Sequence, residues 1–128
     1  MRQKLLTGSE SEEQEFLFNW TQYNINRLPG LELLFHVPNG GKRDTRTATA
    51  LKRQGVKAGV PDLVLSVAKG GYHGAYIELK VGDNKPTTLQ RIWLSNLALQ
   101  GYFTKVCYGW KDAAETIERY LTEQIESI

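Results

Sequence analysis

Two short apolar runs in the middle of the sequence carry charged residues whose types and spacing could do chemistry. Asp62 opens the run "DLVLSV" directly after Pro61, and Glu78 and Lys80 end the run "AYIELK". Acids and lysines are rarely buried unless they are paired, so their presence in segments suited to a core needs an explanation. Carboxylates can hold a metal ion, and an ammonium can stabilise negative charge that develops during a reaction. We therefore take Asp62, Glu78 and Lys80 as candidate catalytic residues.

Both runs have the composition of β-strands, and the glycine-rich segment "AKGGYHG" between them is typical of a hairpin connection. Side chains alternate along a strand, so Glu78 and Lys80 share one face while Ile77 and Leu79 share the core face. If the two strands pair as a hairpin, the start of the first lies opposite the end of the second. Asp62 and Glu78 then meet at one edge of the sheet.

Two carboxylates held close together repel each other unless a proton or a cation lies between them. We expect Mg²⁺, or Mn²⁺ in its place, because such a cation binds one or two carboxylates and completes its shell with water, backbone carbonyls and phosphate oxygens. The carbonyl of Leu79 lies between Glu78 and Lys80 and could be a further ligand. Lys80 would orient or activate a water molecule and offset negative charge on a phosphate. A surface Glu-Lys ion pair of little consequence is the alternative interpretation.

The elements that must position these residues follow the predicted order α-β-α-β-β-α-β-α. Periodicity and capping residues predict helices over 9–28, from Asp44 or Thr45 to about Gln54, over 87–100, and within "WKDAAETIERYLTEQIESI". Strands are predicted over 31–37, 62–67 and 75–81 and in "YFTKVCYG". This order predicts an α/β fold in which helices flank a mixed central β-sheet.

Apolar stripes predict which side of two helices faces the core. On the first helix the stripe contains Phe16, Trp20 and Tyr23. On the third helix the side chains expected in the core are Leu89, Ile92, Trp93, Leu97 and Leu99. The single cysteine, Cys107, lies in an apolar run and is expected to be a small buried side chain.

Length and composition limit the class of protein. The 128 residues fit one domain, 1–128, with a single core. A hydrophobic content of 41% with 23% charged residues is ordinary for a soluble globular protein, and no apolar run reaches the length of about 18 residues typical of a membrane span. The N-terminal segment "MRQKLLTGSESEEQEF" lacks the apolar core of a secretion signal, so we expect a cytoplasmic protein.

Positive charge is concentrated in the segment 42–57, which has a local net charge of +5 although the whole chain has only +2. A basic surface on a nearly neutral protein is typical of contact with a phosphate backbone, and a solvated helix face is the alternative. The basic residues of this segment are Lys42, Arg43, Arg46, Lys52, Arg53 and Lys57.

The strings "GVPDLVL" and "AYIELK" resemble the P-D…(D/E)-x-K signature of a large nuclease superfamily that includes restriction enzymes and Holliday junction resolvases. The longer series "FHVPNGGKR", "LKRQGVKAGVPDLVL", "YIELK" and "LQRIWLSNLALQGYFTKVCYG" is similar to the virus-type replication-repair nuclease family, VRR-NUC. The resemblance runs from about Glu15 to Tyr120. It implies a restriction-endonuclease-like core and metal-dependent hydrolysis of DNA.

The resemblance also implies a role for individual residues. Asp62 and Glu78 match the metal-binding acids, and Lys80 matches the catalytic lysine. Gln90 matches a glutamine that helps to organise the site or the DNA backbone. Glu15 matches an acid of the first helix that completes the metal shell. For Glu15 and Gln90, solvated positions on helix surfaces are the alternative interpretations.

Four other residues leave two interpretations open. His36 and Asn39 match the H-x-P-N segment of the family, to which we assign no role, and His36 could simply pair with a backbone carbonyl. Trp20 and Trp110 could stack on bases, although packing within the fold is the simpler interpretation.

The function implied by these observations is that of a Mg²⁺-dependent DNA endonuclease. The basic segment leads directly to Asp62 and would hold the phosphate backbone without reading sequence, which favours branched DNA such as a Holliday junction or a flap. Symmetric cleavage needs two active sites, so we expect a homodimer. The residues available for that contact are Tyr102, Tyr108, Trp110 and Leu121. The alternative is a catalytically silent DNA-binding module with the same fold, and a phage or mobile element would suit so small a protein.

Overall fold

The computed structural model describes residues 9–38 and 44–122, which form eight regular elements and one short 3₁₀ helix at Leu31–Leu33. The helices are α1 (Glu10–Asn24), α2 (Thr45–Arg53), α3 (Thr88–Leu99) and α4 (Trp110–Leu121). The strands are β1 (Leu34–His36), β2 (Leu63–Leu65), β3 (Ala75–Lys80) and β4 (Phe103–Tyr108). The predicted order of helices and strands is confirmed. Asn39, Lys42 and Arg43 lie outside the described residues.

One four-stranded sheet organises the domain, with the strand order β1-β2-β3-β4. β1 pairs antiparallel with β2, β2 antiparallel with β3, and β3 parallel with β4, so the sheet is mixed as predicted. Leu63 lies opposite Ile77 in the β2–β3 hairpin. The residue before Leu63 and the residue after Ile77 are therefore neighbours, and these are Asp62 and Glu78.

The core lies between the sheet and the pair α1 and α4, which contact each other and β3. Leu17 of α1, Ile117 of α4 and Ile77 and Leu79 of β3 are buried together there, and Cys107 of β4 is buried as expected. The opposite face of β3 carries Glu78 and Lys80, and α3 lies on this side. The sheet therefore separates an apolar layer from a layer that contains the charged residues.

The predicted stripe on α1 is wrong for Phe16 and Tyr23, whereas Trp20 is half-buried and packs against the core. Phe16 and Tyr23 are 48% and 88% exposed, whereas Glu13, Leu17 and Thr21 form the buried side of the helix. The run "FLFNW" places apolar residues on several sides of the helix, so periodicity alone does not distinguish them. Packing against β3 and α4 selects the side that contains Leu17.

The predicted burial of α3 is also wrong. None of its twelve residues, all of which the structure describes, is buried. Leu89, Ile92 and Leu99 are 52%, 49% and 79% exposed, and Trp93 and Leu97 are half-buried. The physical reason is that α3 packs chiefly on β4, and none of the other helices among the described residues covers its outer side. None of the helices in the described part of the chain combines the length and apolarity needed to cross a membrane.

Candidate active site

Asp62 is fixed by the strands on both sides of it. Its Oδ2 accepts a hydrogen bond of 2.9 Å from the N–H of Leu79 on β3. Its backbone carbonyl accepts one of 2.7 Å from the N–H of Val37, and Nδ1 of His36 lies 3.1 Å from the same carbonyl. His36 thus contacts the backbone of Asp62, which agrees with a structural contribution from this exposed side chain. These bonds hold the carboxylate of Asp62 against the end of β3.

Glu78 is 1% exposed, and its two carboxylate oxygens have different surroundings. Oε2 accepts a hydrogen bond of 2.9 Å from Nε2 of Gln90 and lies 3.3 Å from Nζ of Lys80. Oε1 is buried, and no donor among the described residues bonds to it. A buried carboxylate oxygen without a donor is costly, so this oxygen needs either a proton or a cation.

Burial and, to a smaller extent, the nearby Asp62 carboxyl together raise the pKa of the Glu78 carboxyl to about 7, against the opposing effect of Lys80. Burial also raises the pKa of Asp62, which the hydrogen bond from the Leu79 N–H partly offsets. Two ionised carboxylates are both acceptors and cannot satisfy each other. Without a cation, Glu78 is therefore the member of the pair that holds a proton up to about neutral pH.

Gln90 is oriented by the start of α3. The Thr87 side chain accepts a hydrogen bond of 3.1 Å from the Gln90 N–H, and Gln90 Oε1 accepts one of 2.8 Å from the Thr87 N–H. This reciprocal capping box uses the amide oxygen and leaves the amide nitrogen to donate to Glu78. The structure therefore brings Gln90 to the cluster as a residue that positions Glu78.

Gly59 allows the segment before Asp62 to lie against the same turn of α3. Its φ of 96° favours glycine, and a Cβ there would lie 2.9 Å from backbone atoms of Leu89. Since Leu89 precedes Gln90, this close approach joins the Asp62 segment to the helix turn that orients Glu78. A side chain at position 59 would push the two apart.

Lys80 is 7% exposed and lies at the end of β3, near the starts of α1 and α4. Oε2 of Glu10 lies 4.0 Å from its Nζ, and its backbone carbonyl accepts a hydrogen bond of 2.9 Å from the Gly109 N–H. Glu13 caps the start of α4 because its Oε1 accepts a hydrogen bond of 2.8 Å from the Trp110 N–H. The ammonium of Lys80 therefore lies between the carboxylates of Glu78 and Glu10.

Glu15, which the family resemblance implied as a metal ligand, is not brought to the cluster by the structure. It is exposed on α1, and five residues separate it from Glu10, which rotates it by more than a third of a turn around the helix. Glu10 is the acid of this helix that approaches Lys80. Glu10 has helical spacing to the buried Glu13 and Leu17, so the rotation of α1 that buries these residues also brings Glu10 to Lys80.

The described basic residues of the segment 42–57 lie on and after α2, and all of them are exposed. Arg46 and Arg53 are seven residues apart and share one side of the helix, whereas Lys52 is rotated by about 100° from Arg53. Lys57 lies between α2 and Asp62. None of the residues of α2, all described, is buried, so the helix presents its charges to solvent.

The residues of the cluster fit a hard divalent cation. Asp62 and Glu78 supply two carboxylates, and Oε1 of Glu78 is without a donor. The N–H and carbonyl of one strand residue face the same neighbour, so the Leu79 carbonyl faces the side of Asp62, as its N–H does. No group of three or more acids, histidines or cysteines with a metal-binding arrangement occurs among residues 9–38 and 44–122. Mg²⁺ needs only one or two carboxylates, because water and phosphate oxygens complete its shell.

Comparison with known proteins agrees with this arrangement. The sequence profile of the VRR-NUC domain matches residues 9–111. A solved structure described as a VRR_NUC domain protein is 32% identical, with a TM-score of 0.75 over 91% of this chain and 90% of that one. A search of curated proteins found no match. The strand order, the paired acids and these two similarities together show that the chain belongs to the VRR-NUC family of nucleases, within the PD-(D/E)XK superfamily.

Proposed function

We propose that the protein is a metal-dependent DNA endonuclease that hydrolyses phosphodiester bonds. The observation that carries this proposal is the buried Glu78 Oε1, which lacks a donor among the described residues and adjoins a second acid, Asp62. If Glu78 only formed a structural ion pair with Lys80, there would be no reason for a second acid, Asp62, to lie beside it. A cation bound by both acids accounts for their proximity and for the burial of Glu78.

Each residue of the cluster has a distinct part in the proposed reaction. Mg²⁺, or Mn²⁺ in its place, would supply the positive charge that polarises the scissile phosphate. Asp62 and Glu78 would hold it, and the Leu79 N–H and the Gln90 amide fix the orientation of their carboxylates. The ammonium of Lys80 would stabilise negative charge that develops on the phosphate oxygens.

A panel of labelled DNA substrates tests the proposal. Linear duplex, a flap and a four-way junction are incubated with the protein in Mg²⁺, in Mn²⁺ and in EDTA. We expect cleavage with either metal and none in EDTA, and we expect branched substrates to be preferred, because the exposed basic side chains of α2 contact phosphates rather than bases. Equal binding with and without metal, with no nick in any substrate, would instead favour a silent DNA-binding module.

We propose that the basic segment 42–57 binds the DNA backbone next to Asp62. Replacing Arg46 and Arg53 by glutamine should weaken binding to every substrate and reduce the magnitude of the slope of log affinity against log salt by about 2. Fluorescence anisotropy at several salt concentrations in EDTA measures this slope. Lys69→Gln, on the connection at the far end of β2 and β3, is the matched control and should leave it unchanged. An unchanged slope in the double variant would exclude α2 from the interface.

A homodimer is proposed as the form that cuts branched DNA on two strands, since a two-fold axis provides two sites. The contact residues that we expected from the sequence need correction, because Leu121 is buried in the core. Leu89, Ile92 and Leu99 are exposed at helical spacing on α3 and provide an apolar surface that a second copy would cover.

Sedimentation tests the dimer. The wild-type protein at micromolar concentration should have the mass of two chains, and Ile92→Glu with Leu99→Glu should have the mass of one, because buried charge opposes the contact. Tyr23→Glu, on the exposed side of α1, is the control and should remain dimeric. A single-chain mass for the wild-type protein would remove the proposal of a dimer and leave the chemistry of the site untouched.

A further inference from the structure

A groove of about 710 Å³ lies between α1 and α4, on the side of the sheet away from Glu78. Trp20 of α1 and Trp110 of α4 line it, and Ala114 lies one helical turn after Trp110. Both indole side chains are only half-buried, although each also packs against the core. Two indoles on one groove provide flat apolar surfaces that the fold itself does not cover.

Polar contacts hold this groove at both ends. At one end the Trp110 N–H donates its hydrogen bond to Glu13 of α1. At the other end Arg27, just after α1, makes two hydrogen bonds of 3.0 and 2.8 Å to the carboxylate of Glu118 on α4. Between them the small side chain of Ala114 leaves space where a larger residue would fill the groove. The two helices are therefore fixed in position while the surface between them stays open.

The charges around the groove suit an anionic aromatic ligand. Nζ of Lys111 lies 5.9 Å from the centroid of the Trp110 ring, and Arg119 lines the same groove. The carboxylate of Glu118 is already engaged by Arg27, so Glu115 is the remaining acid in the lining. Aromatic rings beside cations are the combination that binds the bases and phosphates of single-stranded nucleic acid.

The groove begins next to the candidate active site. The Gly109 N–H donates to the backbone carbonyl of Lys80, and Trp110 is the next residue along the chain. Glu13, which bonds to the Trp110 N–H, is one helical turn from Glu10 at Lys80. A DNA strand that leaves Lys80 along α4 would therefore meet Trp110 first and Arg119 farther along.

We propose that this groove binds an unpaired segment of the DNA substrate, with bases stacked on Trp110 and Trp20 and phosphates held by Lys111 and Arg119. The inference rests on the proposed function, since it assumes that DNA is the substrate. It assigns to the protein a preference for duplexes that carry a single-stranded segment next to the bond to be cut. The preference comes from stacking and charge, so it does not depend on base sequence.

The test compares binding of a blunt duplex with binding of the same duplex carrying a short thymidine tail, by fluorescence anisotropy in EDTA. The wild-type protein should prefer the tailed duplex, and Trp110→Ala should lower affinity for it by about tenfold while affinity for the blunt duplex is unchanged. The main-chain bond from residue 110 to Glu13 does not involve the indole, so α4 keeps its cap. Tyr23→Ala, an exposed aromatic outside the groove, should have no effect.

Trp110→Phe keeps an aromatic ring and should retain most of the preference, which separates stacking from a loss of folding. Equal affinity of the wild-type protein for both duplexes, or an equal loss on both in Trp110→Ala, would overturn the proposal. A change of sedimentation mass in Trp110→Ala without a change in tail affinity would also overturn it, because the groove would then bind a second copy. Because metal is absent, a protein that never cuts DNA could still satisfy the test.

Discussion

Replacing Asp62 by alanine should lower the rate of DNA cleavage in Mg²⁺ by roughly 10²- to 10³-fold or more, while the protein remains folded. The carboxylate is one of two that can hold the cation, and its removal leaves Glu78 without a second acid beside it. The variant loses the hydrogen bond from the Leu79 N–H, but it also loses the repulsion between two neighbouring acids. Circular dichroism and thermal unfolding should therefore show a native fold.

Two neutralised acids serve as matched controls for this prediction. Asp83 is exposed in the loop after β3, and Glu15 is exposed on α1 away from the cluster. Asp83→Asn and Glu15→Gln should cut at about the wild-type rate, since neither carboxylate reaches the acids or Lys80. Cleavage by Asp62→Ala at the wild-type rate would show that the site is misplaced. A loss of cleavage in Glu15→Gln would show that this acid contributes in a way the described geometry does not provide.

The stability of the metal-free protein should decrease as the pH rises from about 4.5 to about 7, and Glu78→Gln should remove most of that decrease. The pKa of Glu78 is raised from its ordinary value of 4.5 to about 7 by burial and by Asp62. Between these values the folded protein holds a proton that the unfolded chain has released, so stability falls with pH. Above pH 7 the Glu78 carboxylate is ionised in both the folded and the unfolded protein. The free-energy cost of burying this charge in the folded protein then remains constant.

Above pH 7 the glutamine variant should be more stable than the wild-type protein by on the order of 2 kcal/mol in EDTA. One pKa unit corresponds to about 1.4 kcal/mol, so a shift from 4.5 to about 7 corresponds to a few kcal/mol at most. Urea unfolding of both proteins at pH 5 and pH 8 measures the difference, and titrating groups remote from Asp62, Glu78 and Lys80 contribute equally to both proteins. A stability difference that does not change with pH would contradict the assigned pKa of Glu78.

Added Mg²⁺ provides the control for the same experiment. It should raise the stability of the wild-type protein at pH 8, because a ligand that binds only the folded state stabilises it. Its effect on Glu78→Gln should be much smaller, since the variant has lost one of the two acids. An equal effect on both proteins would place the cation elsewhere.

The sequence was sufficient for the order of elements and for the meeting of Asp62 with Glu78. Alternation along β3 and the glycine-rich connection before it specify the hairpin, and the hairpin register then brings the two acids together. Helix capping also depends on residues close in sequence. The side chains of Ser9, Asp44 and Thr87 each accept a hydrogen bond from a backbone N–H three residues later. Because the hairpin and the helix caps depend on residues close in sequence, a sequence pattern is enough to predict them.

The tertiary structure decided which side of each helix faces the protein and which acid of α1 reaches Lys80. Phe16 and Leu17 are adjacent and equally apolar, and only packing of α1 on β3 and α4 buries one and exposes the other. That rotation brings Glu10 to Lys80 and turns Glu15 away, and it opens the groove beside Trp110. The orientation of a helix depends on contacts between residues distant in sequence, whereas its existence depends on neighbours. For this reason the sequence determined the paired acids, and only the folded chain determined what surrounds them.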